Sequence, residues 1–239
     1  KLKIFLLSRF ISLIFMFNIV LSQTTKLHLV FTNDIHGSIH QIPARFMNPE
    51  FGPMMSGGAG AYRYVTKLRQ EANQLGDEVL LLDGGNFFQG TPLGTLDGGE
   101  TIIRWMNQMG YDALTPGLKD FDQGVANLKR LSKIANFPFL SGNIIEKETG
   151  QNLKWLTPII YKQIGKIKIA IIGLTLDKIP ELGFPENTKG LIFLPEVVST
   201  QEQVKEAKYK GADIIIMLAH LGIPYNRDEE FETFISRLS

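Results

Sequence analysis

Cysteine is absent from the 239 residues. That excludes disulfide staples, a cysteine nucleophile and a cysteinyl metal site, so stability has to come from a large apolar core. Charge of one sign is also lacking. The formal net charge is +1, which gives no electrostatic case for nucleic acid or an anionic membrane. There is no Gly-Lys-Ser/Thr phosphate loop after the glycines at 57, 58 and 60, and no Gly-x-Gly-x-x-Gly after a strand. Internal repeats, low-complexity linkers and an Arg-Gly-Asp triplet are missing as well. One apolar run is long, Phe10 to Leu21, preceded by Lys1, Lys3 and Arg9 and followed by the small Ser22. It is too short to span a bilayer, and it reads as a secretory signal peptide over residues 1–22. A secreted, extracellular chain with no transmembrane segment follows. Without that segment 22 basic residues face 24 acidic ones, a net charge of −2.

What is present is a repeated grammar of apolar strands that end in polar loops. Leu27 to Phe31 reads as a buried strand delivering Asn33-Asp34-Ile35-His36-Gly37. Val79 to Leu82 reads as a second, ending in Asp83-Gly84-Gly85-Asn86. Tyr111 to Thr115 leads into Gly117-Leu118-Lys119-Asp120-Phe121-Asp122. Phe137 to Leu140 closes at Ser141-Gly142-Asn143. Trp155 to Ile160 and Lys166 to Ile172 read as successive strands, and Asp213 to Ala219, the most apolar, ends in His220-Leu221-Gly222. Helices are expected over Ala61–Gln74 (after a flexible Ser56–Gly60 turn), Gly99–Met109, Val125–Ala135, Gln201–Lys210 and from near Asp228. Alternating strands and helices with polar groups at the strand ends point to one α/β domain with its site at the C-terminal edge of a sheet.

Asp34 and His36, two residues apart on an extended segment, can reach one cation from the same side. Oxygen with nitrogen suits zinc, manganese or iron better than calcium. An Asx turn beside a surface histidine would leave the same trace. His28 reads as a strand residue, His40 as a solvated loop residue, and Trp105 and Trp155 as core.

Four loops taken in order resemble the N-terminal catalytic domain of the secreted 5′-nucleotidase/apyrase family: Asn33-Asp34-Ile35-His36, Gly85-Asn86-Phe87-Phe88-Gln89-Gly90, Gly117-Leu118-Lys119-Asp120-Phe121-Asp122 and Ala219-His220-Leu221-Gly222. The resemblance covers Lys26 to Ser239. It implies a calcineurin-like metallophosphoesterase sandwich of two mixed β-sheets flanked by helices, four layers α/β/β/α, over residues 23–239. A C-terminal nucleotide-binding domain is expected in such proteins and lies outside these residues. The family includes ectoenzymes and salivary apyrases of blood-feeding arthropods. Its mechanism uses two divalent ions about 4 Å apart that polarise a phosphate and activate a water.

Carried over residue by residue, Asp34 and His36 match metal ligands and His220 a ligand of the second metal. Asp122 matches the orienting Asp of the Gly-Asn-His-Glu-x-Asp loop. The departures are central. Asn86 replaces the bridging Asp, or else Asp83 three residues earlier would have to serve. Leu118 replaces a ligand Asn and coordinates nothing. Lys119 replaces the His that stabilises the phosphoryl transition state. Its ammonium, held by Asp120 and Asp122, can supply positive charge to a phosphate.

The resemblance thus implies at most one weakly held divalent metal (zinc, manganese, magnesium or calcium), or none. It implies a hydrolase fold with lost or strongly reduced nucleotide phosphohydrolase activity, acting by binding a nucleotide (ATP, ADP or AMP), phosphate, or a host extracellular protein in an anti-haemostatic, salivary role. The alternative is an active metal-dependent 5′-nucleotidase or apyrase.

Overall fold

The computed structural model describes residues 24–221 and 235–238. The expected signal peptide and most of the helix expected from Asp228 lie outside the described residues. Among those described, no helix is long and apolar enough to cross a membrane.

The strands are β1 (Leu27–Thr32), β2 (Ile42–Pro43), β3 (Met54–Met55), β4 (Glu78–Asp83), β5 (Ala113–Leu114), β6 (Ile144–Glu146), β7 (Ile159–Ile164), β8 (Ile167–Thr175), β9 (Leu191–Phe193) and β10 (Ile214–His220). The helices are α1 (Gly57–Leu75), α2 (Pro92–Thr95), α3 (Glu100–Met109), α4 (Gly124–Ile134), α5 (Ile179–Leu182) and α6 (Glu196–Tyr209). One sheet has the order β1-β4-β5, all parallel, with Thr32 opposite Asp83 and Leu82 opposite Ala113. The other has the order β10-β8-β7, with β10 parallel and β7 antiparallel to β8. Two short antiparallel pairs, β2-β3 and β6-β9, flank them.

The two-residue period of a strand explains the layers. Leu80 and Leu82 of β4 face Ile169 and Ile171 of β8 in a cluster between the two sheets. Leu81, between them in sequence, points the other way into a larger cluster with Ile102, Ile103 and Met106 of α3 and Leu128 and Leu131 of α4. Burying each such side chain is worth about 1.5–3 kcal/mol. On β8, Ala170 and Ile172 are also buried, on the opposite face, and α6 packs against this strand. The order is therefore helices, sheet, sheet, helix, the calcineurin-like sandwich that the resemblance implied, although among the described strands the β1-β4-β5 sheet is all parallel and only the other is mixed.

Several boundaries differ from the sequence reading, each for a local reason. β1 is an edge strand rather than a buried one, and Phe31 is 69% exposed. Phe137 to Leu140 makes only isolated bridges, Phe139 to Leu114 and Leu140 to Thr157, because Pro138 has no N–H to give a ladder. Trp155 to Thr157 is not strand: Leu156 N–H closes a turn on Leu153 at 3.0 Å, and β7 begins after Pro158. α1 starts at Gly57, because Gly57 and Gly58 let its first turn run against the chain at Ile39 and His40; a Cβ on Gly57 would meet the His40 carbonyl at 2.4 Å. α6 starts at Glu196, hidden in the sequence by the β-branched Val197, Val198 and Thr200. His28 pairs with Asp77 on β1, and Trp105 and Trp155 pack against the core as expected.

Candidate active site

The ends of β1 and β4 continue as two loops that go on pairing past the strands. Asp34 N–H donates to Gly85 at 3.0 Å, His36 N–H to Asn86 at 2.9 Å and Gly37 N–H to Phe87 at 2.9 Å. Three residues there take left-handed backbone: Asp34 (φ 53°), His36 (φ 49°) and Asn86 (φ 56°). Among the described residues no other non-glycine does so. Asp, Asn and His tolerate that region best, and strain of about 1–3 kcal/mol per residue persists where it serves a site. The bends turn all three side chains to one place.

Asn86 is the hub. Its Nδ2 donates to Asp34 Oδ1 at 2.8 Å, and its Oδ1 accepts the Lys119 N–H at 2.7 Å. Those partners fix which end of the amide is which, since a backbone donor needs the oxygen and a carboxylate needs the NH2. Asn33 Nδ2 donates to the other Asp34 oxygen. His36 Nδ1 donates to the Gln89 carbonyl at 2.7 Å, and its Nε2 lies 3.3 Å from Asp34 Oδ1. His220, buried at the end of β10, is fixed in the same way, with Nδ1 on the Gly84 carbonyl at 2.6 Å. A backbone carbonyl behind the imidazole is how a histidine is prepared to offer Nε2 to a cation. Gly117 separates Asn86 from His220, and a Cβ on it would stand 2.6 Å from Asn86 Oδ1 and 2.8 Å from His220 Nδ1.

The 3-10 turn Leu118–Phe121 supplies the third side. Lys119 is about half exposed, with Nζ 3.6 Å from Asp122 Oδ2. Asp120 does not share in holding it, contrary to expectation. Its carboxylate is fully buried and accepts three backbone N–H groups instead: Asn86 at 2.7 Å, Gly117 at 2.8 Å and Phe87 at 2.9 Å. Burial pushes its carboxyl up to about 8, the Asp83 charge adds to the rise, and the three N–H groups pull against it. Asp120 therefore clamps the Asn86 loop to the Lys119 turn, a role the sequence reading missed. Its only signal was an acid between two conspicuous loop positions. Leu118 packs against the apolar cluster, near Gly183. Asp83 is no substitute bridge. It is fully buried, accepts from Thr32 Oγ1 at 2.5 Å and Gly85 N–H at 2.9 Å, and burial raises its carboxyl to about 7.

The donor set can be tested against a metal centre. Asp34 and His36 converge, but the Asn86 oxygen is already engaged, and its NH2 lies on Asp34 where a bridging oxygen would be needed. Among the described residues no three His, Asp or Glu side chains form a group able to hold a metal. Zinc-type sites use three or four protein ligands. Among the described residues, Asp34 and His36 are the two such side chains that converge here, and Asn86 supplies no carboxylate to bridge a pair of cations.

No protein-family model matches the chain. Its sequence is 36% identical over 207 residues to the protein UshA of Salmonella pullorum, covering 86% of this chain and 36% of that protein. It is 35% identical over 201 residues to a 5′-nucleotidase of Vibrio cholerae, covering 84% and 34%, and 35% identical over 207 residues to the snake venom 5′-nucleotidase of Gloydius brevicauda, covering 85% and 34%. Among solved structures, the 5′-nucleotidase precursor of Thermus thermophilus superposes with a TM-score of 0.72 at 27% identity, covering 82% of this chain and 37% of that one. The calcineurin-like phosphoesterase YfkN of Bacillus subtilis superposes with a TM-score of 0.66 at 28% identity, covering 83% and 63%. The chain spans about a third of the length of the curated relatives it matches. Over that shared stretch the chain belongs to the 5′-nucleotidase family and has its calcineurin-like phosphoesterase fold.

Proposed function

We propose that this is a secreted 5′-nucleotidase-related protein that binds a nucleotide at the strand ends and hydrolyses it poorly or not at all. The observation that carries the reading is the Asn86 amide, donating to Asp34 and accepting from Lys119 N–H. The amide N–H occupies the Asp34 oxygen that a cation would otherwise take, and it brings no charge to the site. Two unit charges of like sign near 4 Å repel by about 1 kcal/mol in water and about 4 kcal/mol near a protein surface, roughly four times as much when both ions are divalent, and without a bridging carboxylate that repulsion is less well offset. Losing one electrostatic stabiliser commonly costs about 10²–10³ in rate, and Leu118 and Lys119 remove further ones. Lys119, steadied by Asp122, supplies positive charge for a phosphate. Capture of a nucleotide is preferred to capture of a host protein because the relatives are named as nucleotidases. Residues 1–22 are proposed to direct export.

A second reading, a working metal-dependent nucleotidase, is favoured by one observation: His36 and His220 both present Nε2 as a metal ligand would. Two measurements separate the readings. In chelator, calorimetry should find AMP bound by the protein, weakened by salt and by Lys119→Met. With added manganese or zinc, phosphate release from ATP, ADP and AMP should be slow. It should rise about tenfold or more in the combined Asn86→Asp, Leu118→Asn, Lys119→His variant. Vigorous ADP or AMP hydrolysis by the unmodified protein would establish the second reading.

A further inference from the structure

A cavity of about 810 Å³ opens far from the strand ends, between the C-terminal half of α4 and the loop that joins β6 to β7. α4 begins at Gly124, two residues after Asp122, and runs away from the site; at 1.5 Å per residue, Lys133 is about 14 Å further along. Lys129 and Lys133 are one helical turn apart and both line the cavity, as does Lys154 from the loop. Among the described residues none of the three has an ion-pair partner. One acid, Glu146, lies on the wall, where its carboxylate accepts Thr149 Oγ1 at 2.8 Å. Three cations thus face one anion.

The rest of the wall mixes polar side chains (Ser132, Thr149, Gln151, Asn152 and Thr157) with an apolar group. Trp155 is half-buried beside Phe139, Leu153 and Pro138. Phe139 is held in a ring cluster, stacked on Phe137 at 6.1 Å and edge-on to Phe87 at 6.0 Å. The loop is tied down by its own backbone: Glu146 N–H to Gln151 at 2.8 Å, Gly150 N–H to Glu146 at 2.8 Å, Leu156 N–H to Leu153 at 3.0 Å and Thr157 N–H to Phe139 at 2.8 Å. The pocket is therefore formed before any ligand arrives, in the size range of small-molecule sites. Lysines are point cations suited to phosphate, and an indole face suits a flat ring.

We propose that this pocket binds a phosphate monoester that carries a flat ring, the phosphate on Lys129, Lys133 and Lys154 and the ring against Trp155. It is a second anion site, independent of the strand ends and of metal. The test uses AMP as probe, with adenosine and inorganic phosphate as its two halves, in chelator at low salt. It is run on the Lys119→Met protein, so that loss of strand-end binding is already accounted for. AMP should bind more tightly than either half and change the tryptophan emission. The Lys133→Ser/Lys154→Ser pair should weaken AMP roughly tenfold or more and reduce its salt dependence. Trp155→Leu should weaken AMP, leave phosphate unchanged and abolish the emission change. AMP affinity untouched by the lysine pair, or equal affinity for AMP and phosphate with Trp155→Leu silent, would overturn the proposal. Either result is separate from the effect of Lys119→Met on the unmodified protein, which tests the strand-end reading.

Discussion

Asn86 meets Asp34 with an amide nitrogen, so a hydrogen bond stands where a carboxylate at position 86 would meet Asp34 with charge repulsion. The single change Asn86→Asp reverses this. It places two carboxylates within hydrogen-bond distance of each other, with the Lys119 N–H, Asn33 and the His36 ring beside them. In chelator the variant should unfold at a lower temperature than the parent, by an amount reflecting about 1–4 kcal/mol of repulsion. Manganese or zinc should restore the loss, while shifting the parent little. Differential scanning fluorimetry with and without metal reads both effects, and an unchanged midpoint in chelator would mean that Asp34 and Asn86 do not share a field. At this scale the sequence singled out Asp34, His36, Asn86, Lys119 and His220, because each lies in a polar loop that follows a recognisable apolar run. It did not expose Asp120, whose partners are backbone N–H groups that carry no residue identity.

The elements that hold those residues depend on how closely the two sheets approach. Gly173 in β8 lies against Leu140, where a Cβ would stand 2.4 Å from the Leu140 carbonyl carbon. Gly142 N–H donates to Gly173 at 2.9 Å and Gly173 N–H to Pro158 at 3.2 Å, so Gly173 is tied both to the chain just after Leu140 and to the residue before β7. Gly173→Ala must move backbone rather than a side-chain tip. We expect a loss of about 1–3 kcal/mol, measured by urea denaturation, of the size overpacking produces. Gly76→Ala makes a steric control, since nothing lies near its Cβ, and it should cost only the strain of its left-handed backbone (φ 73°). Strand and helix types were legible from periodicity. The ends at Pro138, Pro158 and Gly57 were not, because each is decided by what the neighbouring chain does there.

For the whole molecule, buried carboxyls set the response to pH. Asp83 and Asp120 are raised by burial to about 7 and about 8 from an ordinary value of 3.8. In the unfolded chain they release their protons near pH 4, whereas in the folded chain they hold them until pH 7–8. The folded state therefore binds more protons across that window, and stability should fall as pH rises from about 4 to about 8. Glu100 works in the other direction. Hydrogen bonds from Arg104 and Arg130 hold it below its ordinary value, so its contribution is lost as pH falls through that lowered value. Thermal midpoints should be higher near pH 5 than at pH 8, and Asp83→Asn should flatten that slope. A midpoint that rises from pH 5 to pH 8 would refute the assignment.

The sequence by itself determined the fold family and the order of strand-end loops, because those depend on residue type and spacing along the chain. Tertiary structure alone decided that the Asn86 amide, through its two ends, joins Asp34 to the Lys119 backbone. It also decided that Asp120 is a clamp rather than a partner for Lys119, and that three lysines and a tryptophan from separate segments share one cavity. The reason is physical. Hydrogen-bond direction, burial and charge pairing are properties of neighbours in space, and residues 34, 86 and 119 become neighbours only when the sheet brings their loops together.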